Sequence, residues 1–451
     1  MKGNNKFISK ILFKLLLLRG GCSDYTMMKA IQKDKTEVVK LLLKDVRVDP
    51  SSVDNCAIKW ASENGYVEIV QSLLTDERVD PSATNNYAIK SASENGRVEV
   101  VKLLLKDVRV DPSSVDNCAI KWASENGHAE LVKLLLTDKR VDPSAEDNYA
   151  IRYASANGYV EIVQSLLTDE RVDPSATNNY AIKRASENGR VEVVKLLLKD
   201  VRVDPSSGDN YAIRYASEYG RVEVVKLLLE DCRADPSSYD NYAIRFASAN
   251  GREEVVKLLL ADKRVDPSAD NNYAIKRASE YGRVEVVKLL LADKRVDPSA
   301  DNNYAIRMAS ENGYEEVVKL LLADKRVDPS ADNNYAIKRA SKNGRVEVVK
   351  LLLADKRVDP SADNNYAIRL ASENVRVEVV KLLLADKRVD PSADNNYAIR
   401  MASANGHVEV VKLLLADKRV DPSSDDNYAI RMALKNNHKK VTELLFKYFL
   451  S

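Results

Sequence analysis

Histidine and cysteine are almost missing. The 451-residue chain holds three histidines, His128, His407 and His438, and four cysteines, Cys22, Cys56, Cys118 and Cys232. They are scattered, so no zinc-type ligand set is expected, and neither a metal nor a cofactor is expected. Cys56 and Cys118 fall at one phase of a 31-residue period, two periods apart. With helices packing roughly 8–10 Å apart, the two sulfurs would stand on the order of 20 Å from each other, beyond disulfide reach. All four read as free thiols of a reducing, intracellular, cytoplasmic setting. An excess of one charge is also lacking: 70 Lys and Arg stand against 68 Asp and Glu, a formal net charge of +2. That balance exerts no general pull toward nucleic acid or an anionic membrane. No apolar run reaches the roughly 20 residues that span a bilayer. Residues 8–18 follow basic residues as a signal peptide would, but Lys10 and Lys14 interrupt them and no small-residue cleavage motif follows. The glycines come mostly once per period, which leaves no phosphate-cradling loop.

Proline is confined to one phase. All 13 copies, from Pro50, Pro81 and Pro112 to Pro391 and Pro422, stand 31 residues apart. Such a chain is a tandem array, and the spacing leaves no linker or insertion between residues 50 and 422. One unit can be read from Asp297. Residues 297–302 are dense in turn formers and predict a loop. Asn303 is placed to cap a first helix running over Tyr304-Ala305-Ile306-Arg307-Met308-Ala309-Ser310-Glu311. Gly313 ends it where a left-handed residue is wanted. Glu316-Val317-Val318-Lys319-Leu320-Leu321-Leu322 predicts a second helix. Only Glu316 and Lys319 are polar there, three apart, which predicts a local ion pair. So apolar a helix must be covered on several sides, which neighbouring units stacked on both flanks provide. The expected fold is all-α: about fourteen stacked helix-turn-helix pairs.

Residues 87–105 read Tyr-Ala-Ile-Lys-Ser-Ala-Ser-Glu-Asn-Gly-Arg-Val-Glu-Val-Val-Lys-Leu-Leu-Leu, followed by Val110-Asp111-Pro112-Ser113. This pattern resembles the ankyrin repeat, T-P-L-H-x-A-A-x-x-G-H-x-E-I-V-x-L-L-L. Tyr87-Ala88-Ile89-Lys90 stands where the family has T-P-L-H, and the unit is two residues shorter than usual. The wording N-N-Y-A-I-R-x-A-S-E-N-G, then R-V-D-P-S, resembles in particular the ankyrin proteins of giant DNA viruses of the mimivirus type. The resemblance covers residues 24–448. It implies a solenoid that binds partner proteins through a concave face of hairpin tips and first helices, host factors among them if the protein is viral. It implies no enzymatic activity.

The ends are expected to be modified units. Leu12-Phe13-Lys14-Leu15-Leu16-Leu17 copies the second-helix wording, so residues 1–22 read as an N-terminal capping helix; a membrane-surface amphipathic helix is the alternative. Residues 23–446 are the repeat array and 447–451 a C-terminal tail, which is either a cap or a docking segment.

Catalysis needs unlike groups held once in one place. Here the polar residues recur: one Glu position repeats thirteen times, from Glu37 and Glu68 to Glu409. Binding would use the positions that vary. The residue after the Lys or Arg of the first helix runs Trp60, Ser91, Trp122, Tyr153, Arg184, Tyr215 and Phe246, then Arg277, Met308, Arg339, Leu370, Met401 and Met432. A site accepting Trp, Ser, Arg and Met cannot be sealed core, because an unpaired buried Arg is very costly. Either it is a half-buried filler or it lines a groove rich in hot-spot residue types. The tip position varies too: Val53, Thr84, Val115, Glu146, Thr177, Gly208 and Tyr239, then Asp in each later unit. The candidate partner-binding residues are Trp60, Trp122, Tyr153, Arg184, Tyr215, Tyr239 and Phe246. The Lys/Arg column itself, Lys59, Lys90, Lys121, Arg152 and onward, is expected to be neutralised by Glu63-type residues four positions on. Two other function classes stay open: a structural or self-assembling rod, and a nucleic-acid binder along that column. A monomeric solenoid with unidentified protein partners is the leading expectation. Val375, at the glycine position, is expected to be a weak point, since a β-branched residue resists left-handed backbone.

Overall fold

The structure, a computed structural model, describes residues 23–450. The expected capping helix in residues 1–22, Cys22 and Ser451 lie outside the described residues. Within them stand 28 helices and no strand, in fourteen successive pairs. The chain divides into two compact units. One takes the residues through Ala216 together with Lys226–Ala234; the other takes Ser217–Val225 and everything from Asp235 onward. In the first unit, helix Ala83–Glu94 packs between Ser52–Asn64 and Ser114–Glu125. In the second, Ala300–Asn312 packs between Ala269–Glu280 and Ala331–Asn343. Each unit is thus a stack in which like helix lies on like helix.

The repeat containing Pro298 shows why. Ala305, Ile306, Ala309 and Ser310 of the first helix are sealed from solvent, as are Val317, Val318 and Leu321 of the second, Glu315–Ala323. Two faces of the second helix are therefore covered, and its outer edge carries the ion pair of Glu316 with Lys319 at 2.7 Å. Gly313 closes the first helix at φ 88°. A side chain is excluded there twice over: the backbone is left-handed, and a Cβ would lie 2.6 Å from Cδ of Arg345, laid over it from the next repeat. Ser310 is present for its size. Its hydroxyl is buried with no partner, and at the same phase of the last repeat, where no further repeat follows in the described chain, Leu434 stands instead, 52% exposed.

The connecting segment is more ordered than a plain loop. Asp297 accepts hydrogen bonds from the Ser299 backbone N–H at 2.9 Å and from its hydroxyl at 2.7 Å, closing a turn around Pro298. Asp301, Asn302 and Asn303 then run left-handed in succession, φ 55°, 55° and 58°, before the right-handed helix starts at Tyr304. Asn and Asp tolerate that backbone best among side-chain-bearing residues. Asn303 does not cap its own helix as expected. Its Oδ1 accepts the backbone N–H of Asp328 in the next repeat at 2.7 Å, because the left-handed turn swings the amide outward along the stack.

A second link runs the other way. Arg326 clasps Asp324, Nε to Oδ1 at 3.0 Å and Nη2 to Oδ2 at 2.6 Å. The same guanidinium donates to the carbonyls of Val296, at 2.8 Å, and Leu291, at 3.1 Å, in the preceding repeat. Leu291 lies in the last turn of helix Val284–Ala292, where carbonyls lack helical partners and a cation is favoured. The Arg326 side chain holds the Asp324 carboxyl below its ordinary range. The last helix, Lys439–Leu450, takes in most of the residues set apart above as a tail. Cys56, Cys118 and Cys232 are free thiols.

Candidate partner-binding face

The half of the first helix turned away from the core carries the candidate residues. Tyr at its start, Lys or Arg three on, the variable residue four on and Glu seven on share one face by helical periodicity. In the first unit these stripes meet side by side. Tyr149 stacks on Tyr153 with ring centroids 4.1 Å apart, and Tyr153 lies 5.9 Å from Tyr180 of the next repeat. The guanidinium of Arg152 stands over the rings of Tyr149, Tyr153 and Tyr180 at 5.9, 5.7 and 5.3 Å. Arg184 continues the row: it lies over Tyr180 and Tyr211 and pairs with Glu187 at 2.6 Å. The Tyr211 hydroxyl donates to the same Glu187 at 2.9 Å; burial first, and that carboxylate second, push its pKa up to about 12. Tyr215 lies 4.1 Å from Tyr211. Tyr153, Arg184 and Tyr215 are thus brought into one aromatic-cationic ladder.

Trp122 sits one repeat earlier, half-buried, with Lys90 Nζ 4.4 Å above its ring. Trp60 is 38% exposed. The second unit holds the remaining two: Phe246 stacks on Tyr242 at 4.0 Å, and Tyr239 projects from a tip, 63% exposed. The variable column is mostly half-buried, with Ser91 and Leu370 as its buried members. Two of its arginines escape the cost of burial by pairing, Arg184 with Glu187 and Arg277 with Glu280, and Arg339 lies over the Tyr335 ring at 5.2 Å.

The expectation for the Lys/Arg column is corrected. The glutamates four positions on do not neutralise it. Glu125, Glu187 and Glu311 instead accept the hydroxyls of Tyr149, Tyr211 and Tyr335, one repeat further along. Where the column is neutralised, the acid comes from the tip of the following repeat: Arg307 pairs with Asp332 at 2.7 Å and Lys338 with Asp363 at 3.2 Å. The tyrosines and the Asp-x-Arg clasps are not singled out as functional by the sequence, and the tip acids are read there as a variable position without their role toward the Lys/Arg column. Their signal was present in it as three further columns at fixed phase.

Among the described residues, no group of three or more His, Cys, Asp or Glu could hold a metal ion. No described helix is long and apolar enough to cross a membrane. No curated protein matches the chain. A family model described as ankyrin repeats, in three copies, matches eight overlapping stretches, from residues 4–85 and 58–147 through 151–240 to 368–450. Members of that family typically mediate protein–protein contacts and are not enzymes. The phase-locked prolines, the stacked helix pairs and this match along nearly the whole chain agree: the chain belongs to the ankyrin repeat family.

Proposed function

We propose that this chain is an intracellular scaffold that binds partner proteins through the face built by its first helices and tips. One observation carries the reading. Within a frame of near-identical repeats, the variable column holds exposed Trp60 and half-buried Trp122, Tyr153, Arg184 and Tyr215 in the first unit, and half-buried Phe246, with Tyr239 at a tip, in the second. Trp, Tyr and Arg are enriched in protein-binding hot spots, the aromatic rings because they offer large contact area at little cost in side-chain freedom and Arg because its planar guanidinium stacks on rings and pairs with carboxylates. The resemblance of the repeat wording to that of giant-virus ankyrin proteins is the ground for proposing host factors as partners, and the free thiols support an intracellular site.

The test is affinity capture from cell lysate by the full chain and by the double variant Trp60→Ala, Trp122→Ala. A partner retained by the parent and lost by the variant is expected. Recovery of the chain alone points to a self-assembling rod, and salt-dependent retention on DNA points to a nucleic-acid binder; either result overturns the scaffold reading.

A further inference from the structure

The two units treat one cation column differently. In the second unit, the Lys or Arg of each first helix from Arg245 to Arg400 meets an Asp 25 residues on, at the tip of the next repeat. Arg245 reaches Asp270 at 2.5 Å, Lys276 reaches Asp301 at 3.4 Å, and Arg369 reaches Asp394 at 2.9 Å. In the first unit, Lys59, Lys90, Arg152 and Lys183 are followed at that distance by Thr84, Val115, Thr177 and Gly208. Between them in the column, Lys121 meets an acid, Glu146, at 2.7 Å.

The four cations make other contacts, none with a carboxylate. Lys59 donates to the Thr84 hydroxyl at 3.0 Å, and Lys90 lies over Trp122. Arg152 donates through Nη2 to the Glu146 carbonyl at 2.9 Å, as Arg307 does to the Asp301 carbonyl. Arg307 also gives Nη1 to Asp332, while Arg152 has Thr177 at that place. Lys183 lies near the Tyr211 ring, and burial together with the charge of Arg184 lowers its pKa. Of the nearby acids, Glu125 and Glu187 are engaged by tyrosines, and Asp116 beside Val115 is exposed and outside ion-pair distance of Lys90. All four cations are half-buried beside aromatic rings, where an ion pair is worth more than on an open surface.

We infer that Lys59, Lys90, Arg152 and Lys183 receive the carboxylates of an extended acidic segment of a partner protein, which supplies from outside what tip aspartates supply in the second unit. The inference rests on the binding face proposed above and names the chemistry of its partner. Adjacent first helices stand roughly 8–10 Å apart, and an extended chain advances about 3.3–3.6 Å per residue. An acid at every third residue therefore keeps step with the repeats. Glu63, Glu94 and Glu187 lie one helical turn beyond Lys59, Lys90 and Lys183. That row repels a continuous polyphosphate track but leaves room for carboxylates spaced one per repeat.

The probe is a fluorescein-labelled 15-residue peptide with Glu at every third position and Gly and Ser between, titrated with the full chain by fluorescence anisotropy. Its counterpart carries Gln for Glu. The variant Thr84→Asp, Thr177→Asp installs the residue that the second unit already uses there, so the fold is retained, as circular dichroism will check. Binding of the Glu peptide, loss with the Gln peptide, and a Kd raised about tenfold in the variant are expected, two ion pairs at roughly 0.2–1 kcal/mol each being near that scale. No binding, equal binding of the two peptides, or an unchanged Kd in the variant overturns the inference. So does tighter binding of a 15-nucleotide single-stranded DNA that the variant also loses. If lysate capture is lost on Trp60→Ala, Trp122→Ala but survives Thr84→Asp, Thr177→Asp, the acidic partner falls and the binding face stands.

Discussion

Val375 is a β-branched residue at the glycine position of the array, where the other exceptions are Asp34 and Asn437. It occupies the position held by glycine in the repeats on either side, at Gly344 and Gly406, and the backbone does not adjust: φ is 59°. A left-handed conformation costs an L-residue roughly 1–2 kcal/mol, and a β-branched one belongs to the worst cases. Crowding adds to this, because the next repeat lays a side chain over the same spot. Here it is His407, whose Nε2 still reaches the Glu373 carbonyl at 2.9 Å. Replacement by glycine removes the strain and returns about 0.5–1 kcal/mol through the greater freedom of the unfolded chain. The isopropyl group is 48% exposed and contributes little packing. Val375→Gly should therefore stabilise the protein by about 0.5–1 kcal/mol, which is roughly 1–4 °C in Tm for a cooperative unit of this size. The assay is thermal unfolding by circular dichroism, with hydrogen exchange at Arg376 and Val377 as the local readout. Val375→Asn should fall between the two, since Asn tolerates the left-handed region, and Val375→Ala should gain little. A Tm for Val375→Gly equal to or below the parent refutes the reasoning.

Two further outcomes follow from the frame. Ser310→Ala deletes a buried hydroxyl without a partner and keeps the shape, so it should raise stability by about 1 kcal/mol in chemical denaturation; a loss of stability would mean that the hydroxyl is satisfied. The Asp-x-Arg clasps set the acid limit. Carboxyls such as Asp293, Asp324 and Asp355 are held low by their arginines. The stability they contribute is fully present above the unfolded value of about 3.9 and is lost as pH falls through the depressed folded value. Helical signal should accordingly persist to about pH 4 and collapse below it, and Asp324→Asn should make the second unit less steeply acid-sensitive.

Local periodicity could be read correctly from the sequence wherever one helix decided the matter. The prolines set the phase, Gly313 marked a left-handed helix end, and Glu316 found Lys319 within its own turn. The reading failed wherever a partner lay in the next repeat. Asn303 looked like a cap because the Asp328 amide it serves is 25 residues away. Lys and Arg were matched to the glutamate four positions on because that is nearest along a helix; across the stack, a tip acid 25 residues on is nearer for the cation and a tyrosine hydroxyl is nearer for the glutamate. The face holding Tyr153, Arg184 and Tyr215 was legible as a variable column, but its continuity depends on the invariant tyrosines between them.

The links made by Asn303 and Arg326 join each residue to another at a fixed offset, 25 forward or 30 and 35 back. A structure whose bonds depend only on offset has translational symmetry along the chain. Excising one whole period, for example residues 298–328, gives every cut bond an equivalent partner at the same offset. Length is then a free parameter of such a molecule. Recombination between near-identical repeats can add or drop a period without passing through a misfolded intermediate sequence, so the reach of the scaffold can change in a single genetic step while each remaining contact is preserved.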